Sequence, residues 1–117
     1  MNGSIKHQEI DSNSAEQNVR NVGDEELLSQ IAQGDRQAFS RLYLKYQPRL
    51  VSYCARLLKD DVAQAADIVD DALFDVWRSA DKFEGKSKAS TWIYSITRNK
   101  LISWLRKTSE VILDDDA

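Results

Sequence analysis

Trp92, Ser95, Asn99, Ser103 and Arg106 are spaced so that on a helix they fall within about 80° of one another. Together they offer an aromatic face, an amide, two hydroxyls and a cation. Such groups stack on bases, hydrogen-bond base edges and hold phosphates. Lys100 and Lys107 flank the row. From Lys82 to Lys107 there are seven Lys and Arg residues against Glu84 as the one acid, although the whole chain carries a net charge of −3. A basic island in an acidic chain points to one end that meets a polyanion and another that meets something basic. The competing explanation is a solvated basic helix with Trp92 half in the core.

The acidic counterpart lies just upstream. Between Asp60 and Asp81 the chain has seven Asp and a single cation, Arg78. On a helix, Asp67, Asp71, Asp75 and Arg78 share one side, Asp70 sits at its margin, and Phe74 projects from the middle. Acids on a helix face ordinarily do no more than hydrate. An aromatic ringed by charge, however, is a frequent anchor of protein interfaces.

Other chemistry is largely excluded by composition. His7 is the one histidine and sits in a polar segment, so a His-containing catalytic triad has no support. Cys54 is alone, which leaves no internal disulfide and no Cys-based metal site, and it reads as a small core residue in a reducing compartment. There is no Gly-rich phosphate loop and no nucleophile–base pair, so an enzyme is not expected and no cofactor is called for. No run of about 18 apolar residues is present and no secretory segment follows Met1, so the expectation is a cytoplasmic protein without a membrane span.

The elements that must hold these residues are helices. With 117 residues, one Pro and four Gly, the expected fold is all-α, a compact bundle of about four helices in one domain. Residues 1–23 lack aromatics and read as a disordered polar tail. Asp24, Glu25 and Glu26 open a first helix with Leu27, Leu28 and Ile31 on its apolar side, and Gly34 ends it. Helical spacing then predicts a second helix over about 36–58, interrupted but not ended at Pro48. A third runs from a cap at Asp60 or Asp61 to about Ala80, burying Ile68, Val69, Ala72, Leu73 and Val76. Lys82–Lys88 is a loop hinged at Gly85, with Ser87 as the expected cap of a fourth helix to about Lys107. Ile93, Tyr94, Leu101, Trp104 and Leu105 are expected on its buried side. Residues 108–117 read as the start of an acidic linker.

Four of these segments resemble region 2 of the sigma-70 family of transcription initiation factors, in the extracytoplasmic-function group. GDRQAFSRLYLKYQPRLVSYCARLL is similar to that family's first long helix, and DIVDDALFDVW to its clamp-binding helix. KFEGKSKASTW resembles the loop into the promoter-reading helix, and TWIYSITRNKLISWLRK the helix itself. The resemblance covers about 24–107, in the right order and spacing.

The resemblance implies a helical domain that binds core RNA polymerase through the beta-prime clamp helices, and that recognises and melts the −10 promoter element on the non-template strand. By position it implies Asp67, Asp70, Asp71 and Phe74 for polymerase, and Lys86, Ser87, Lys88, Trp92, Tyr94, Arg98 and Asn99 for the promoter. Ser95, Lys100, Ser103 and Arg106 join the DNA-facing set from the helical row. Glu84–Ser90 is expected to line a pocket for a captured base. An anti-sigma factor is a further implied partner. Ala66 and Asp70 depart from the Glu and Gln often found there, and Ala89 stands where Phe is common, which is expected to loosen the loop. The family's helix-turn-helix for the −35 element does not follow, so either a truncated sequence or a free-standing region 2 is expected, with truncation favoured. The alternative from another class is a helical interaction adaptor with no sequence-specific DNA binding.

Overall fold

The computed structural model of the protein describes residues 23–116, with side chains through Ser109. The expected polar tail, with His7, therefore lies outside the described residues except for Gly23. Four α-helices carry the fold: α1 (Asp24–Ala32), α2 (Arg36–Leu57), α3 (Val62–Ser79) and α4 (Ala89–Asp116), with a 3-10 turn at Ala80–Lys82 between the last two. No strand occurs among the described residues. The all-α, four-helix expectation is met.

Each boundary has a local cause. Gly34, at φ +91°, closes α1: its N–H reaches Ile31 O at 2.8 Å and Asp35 N–H reaches Gln30 O at 3.0 Å. These two bonds satisfy carbonyls that the helix end would leave free. Asp35 then caps α2, its carboxylate accepting from the N–H groups of Gln37 (3.0 Å) and Ala38 (3.1 Å). Asp61 does the same for α3 through Gln64 N–H at 3.0 Å. Between them Lys59 and Asp60 both take positive φ, 56° and 67°, a conformation that costs L-residues strain.

α2 runs through Pro48 as one element. Proline offers no N–H to the carbonyl four residues back, that of Leu44. Leu44 is among the most exposed apolar residues, so water can serve that carbonyl. The buried row of α2 repeats every fourth residue, Ala38, Leu42, Tyr46, Leu50 and Cys54. It packs against Ala65, Ile68, Val69, Leu73 and Val76 of α3, which also buries Ala72. Ala89, Ile93, Thr97 and Leu101 complete the core from α4. Thr97 was not expected there. Its hydroxyl donates to Ile93 O at 3.0 Å, so the buried oxygen is satisfied within its own helix. Leu105 is exposed rather than buried, because Leu101 and Trp104 take the core side and Leu105 stands about 100° round the helix from Trp104.

α4 continues to Asp116, through residues read as a linker. Nothing stops it, since no Gly or Pro occurs between Ala89 and Asp116. No helix among the described residues is long and apolar enough to cross a membrane.

Candidate nucleic-acid interface and acidic partner face

On α3 the sequence-derived acidic side divides. Asp67, Asp70 and Asp71 are exposed, and Phe74 stands 55% exposed among them. Arg78 lays its guanidinium 4.8 Å from the Phe74 ring centroid, which keeps part of that ring from water. Asp70 is engaged within the fold, accepting a hydrogen bond from the Tyr43 hydroxyl at 2.8 Å. That bond to a carboxylate, with some burial, pushes the Tyr43 hydroxyl above its ordinary range. Asp75, expected on the open side, instead faces α4. It accepts from Arg78 on its own helix and from Lys100 of α4 at 2.8 Å. Burial pushes its carboxyl up, but the two cations outweigh burial and hold it below the usual carboxylate range.

Lys100, expected among the phosphate-holding cations, forms one side of an interhelical ion pair. The Cβ direction explains this: Lys100 lies only about 20° from Ala89 on the helix, toward the core side, and its long stem reaches the α3 seam. The other basic candidates of α4 stand out into solvent. Arg98, Asn99, Ser103 and Arg106 are exposed, and none of them has a side-chain hydrogen bond or ion pair among the described residues. Ser95 is exposed as well, with its hydroxyl donating back to Thr91 O at 2.9 Å.

The row is not one continuous surface. Tyr94 and Arg98 line a concavity of about 400 Å³ with Tyr53, Ser90, Thr91 and Ser95. Tyr94 is half-buried there, its ring edge-on to Tyr53 at 5.4 Å and to Tyr46 at 6.4 Å. On the other flank, Asn99 and Ser103 line a groove of about 500 Å³ between α3 and α4, with Arg78, Ser79, Lys82 and Lys100. Tyr53 and Thr91 were missed in the sequence, whereas Ser90 belongs to the segment expected to line a pocket. Thr91 was legible, because it lies one helical turn before a candidate, Ser95. Tyr53 comes from α2 and carried no local signal.

The loop places Lys82, Lys86, Ser87 and Lys88 in solvent. Lys86 pairs with Glu84 at 2.9 Å, but both side chains are largely exposed and the pair contributes little. Trp92 is half-buried, its ring 5.4 Å from that of Phe83, so it anchors the loop to α4 as well as facing outward. Ala89 is itself anchored at this end. It is fully buried, and its N–H donates to Glu25 Oε1 of α1 at 3.1 Å. The expected cap at Ser87 is displaced by that carboxylate. The Ser87 hydroxyl lies 3.4 Å from Lys88 O, while Trp92 N–H bonds to Lys88 O at 3.1 Å, which makes Lys88 the capping position.

With this geometry in place, similarity to known proteins is informative. Residues 42–111 match the model of the family described as Sigma-70 region 2. The chain is 33% identical over 76 residues to the RNA polymerase sigma-H factor of Pseudomonas aeruginosa, covering 65% of this chain and 39% of that protein. It is 31% identical over 100 residues to the ECF RNA polymerase sigma-E factor of Haemophilus influenzae, covering 80% of this chain and 51% of that one. The chain thus spans about half or less of the length of these relatives. Among solved structures it resembles an engineered region 2 of sigma-E, determined by NMR in complex with GTAAAA. That match has 28% identity and a TM-score of 0.67, over 75% of this chain and 90% of the other. The four helices, their order and the matched segment place the chain in the sigma-70 region 2 family, alongside sigma factors of the extracytoplasmic-function group.

Proposed function

We propose that residues 24–107 form a unit that binds core RNA polymerase with the outer face of α3 and reads a single-stranded −10 promoter segment with the 82–88 loop and α4. The observation that carries this is the likeness to a sigma-E region 2 bound to GTAAAA, over 90% of that chain. Reading a base's full edge requires taking it out of the stack, at a cost of a few kcal/mol. A pocket and a strand-holding surface must offset that cost. Glu84–Ser90 supply backbone and hydroxyls for the pocket. Trp92 and Tyr94 offer stacking surfaces, and Asn99 can both donate to and accept from a base edge. Ser95 and Ser103 add hydroxyls on either flank. Lys86, Lys88, Arg98 and Arg106 hold phosphates and carry no sequence information, whereas Ser87 belongs to the pocket. Lys100 contributes through its pairing with Asp75.

On α3, Phe74 is the anchor for the beta-prime clamp helices, with Asp67 and Asp71 steering approach and Asp70 at the rim. An anti-sigma factor would inhibit by covering the same two faces, and the chain itself would act in the cytoplasm. The test is anisotropy titration of the chain with labelled single-stranded GTAAAA, a scrambled hexamer of the same composition, and a duplex. Base-dependent single-strand affinity with weak duplex binding is expected. Equal affinity for both hexamers would leave the adaptor function in its place.

A further inference from the structure

We propose that Glu25 of α1 is a positioning residue for the promoter-reading loop, fixing the point at which the loop becomes α4. The inference rests on the DNA-reading role assigned above to that loop. It concerns a helix outside the family-matched segment, which begins at residue 42.

The N-terminus of α4 lacks a cap of its own. Lys88 occupies the capping position, since its carbonyl accepts the first intrahelical bond, from Trp92 N–H at 3.1 Å. A lysine has no acceptor to offer the free N–H groups of the first turn, and its charge opposes the positive end of the helix. Ser87 stands one residue too early, and its hydroxyl is turned to the Lys88 carbonyl. The missing acceptor comes from 64 residues upstream: Glu25 Oε1 accepts the Ala89 N–H at 3.1 Å. Ala89 is fully buried, so without that carboxylate its N–H would lose a partner where water has poor access.

Glu25 can act at this distance because α1 is held firmly. Leu27, Leu28 and Ile31 are buried in the core. Asp24, the neighbouring residue, pairs with Lys45 at 2.7 Å and accepts from the Tyr46 hydroxyl of α2. α1 also packs on the Ala80–Lys82 turn, which is the entrance to the loop. The loop is therefore suspended between two points that α1 fixes, with Gly85 at φ +75° between them. Its span is set by α1 rather than by the loop's own residues.

The experiment compares Glu25→Ala, Glu25→Gln and Glu26→Ala in the full chain, by amide hydrogen exchange and by the ratio of affinities for single-stranded GTAAAA and its scrambled counterpart. Glu26 shares the first turn of α1 and controls for charge alone. Glu25→Ala should speed exchange at Ala89 and across Glu84–Lys88 by roughly 2- to 30-fold, the size of a lost cap. It should also narrow the affinity ratio. Glu25→Gln keeps an acceptor and should recover most of both effects, while Glu26→Ala should show neither. Unchanged exchange at Val69, deep in the core, verifies that the fold is intact. Wild-type exchange at Ala89 and the loop in Glu25→Ala overturns the inference, as does faster exchange with an unchanged ratio. A wild-type chain without hexamer preference removes the DNA-reading role instead. Glu25 then stands or falls as the loop's anchor on the exchange across Glu84–Lys88.

Discussion

The outer face of α3 and the outer face of α4 carry opposite charge, but they differ more in how much of it the fold has already engaged. Of the α3 acids, Asp70 is held by Tyr43 and Asp75 by Lys100 and Arg78, leaving Asp67, Asp71 and the Phe74 ring for a partner. On α4 the balance is reversed. Arg98, Asn99 and Arg106 are exposed with no side-chain partner among the described residues, and Lys100 alone is drawn into the seam. Charge counted along the sequence therefore overstates the acidic face and describes the basic one well. An apolar anchor with a few steering charges suits a protein surface. A row of uncommitted donors and acceptors suits a nucleic acid.

The largest effect is expected at Phe74. Phe74→Ala should weaken binding to core polymerase by about 1–3 kcal/mol, the range for an interface anchor, and leave single-stranded DNA affinity unchanged. Pull-down and anisotropy on the same preparation would check both. A folded variant that retains polymerase at wild-type levels would remove the α3 face from the account.

Asp75 joins the two faces, so its removal should loosen both at once. Asp75→Asn should cost about 0.5–1 kcal/mol of stability, given that Arg78 and Lys100 are both partly exposed. Because the Asp75 carboxyl is held below the ordinary value of 3.8, its contribution is complete above that pH. It is lost as pH falls through the lower folded value. Wild type should therefore lose stability below about pH 4 more steeply than Asp75→Asn, in thermal melts across an acid series. Parallel melting curves would show that the seam does not depend on this ion pair.

The smallest effect expected is at Tyr43. Tyr43→Phe frees Asp70 and should change stability by less than about 1 kcal/mol, since the bond is solvent-exposed. If the outer face of α3 engages a basic partner, the freed carboxylate should raise its association rate slightly at low salt. Stopped-flow mixing with polymerase would measure it, and a slower rate would mean that Asp70 is better held than free.

What was legible in the sequence follows from period and caps. The core row of α3, a cap at Asp60 or Asp61 and the stop at Gly34 are local signals, and each is found where it was expected. What was not legible depends on contacts between distant segments. Nothing near Ala89 announces Glu25, and nothing near Lys100 announces Asp75. Tyr53 reaches the Tyr94 concavity only because α2 lies beside α4. The single row on α4 became two flanks because a helical wheel records angle but not which neighbour stands at each side. The extension of α4 to Asp116 runs through the residues read as the start of a linker, with no Gly or Pro to stop it.

On the function proposed above, α4 and its loop read bases with some residues and hold the strand with others. Selection from a randomised single-stranded hexamer library, with wild type, Asn99→Ala and Lys88→Ala side by side, tests it most directly. Asn99→Ala should enrich different sequences from wild type. Lys88→Ala should enrich the same ones with uniformly lower affinity, and its log–log salt slope should be smaller in magnitude by about 0.7, the value for one phosphate contact on a single strand. If both variants enrich the wild-type sequences and differ only in strength, α4 does not separate base reading from strand holding, and the account of this face is wrong.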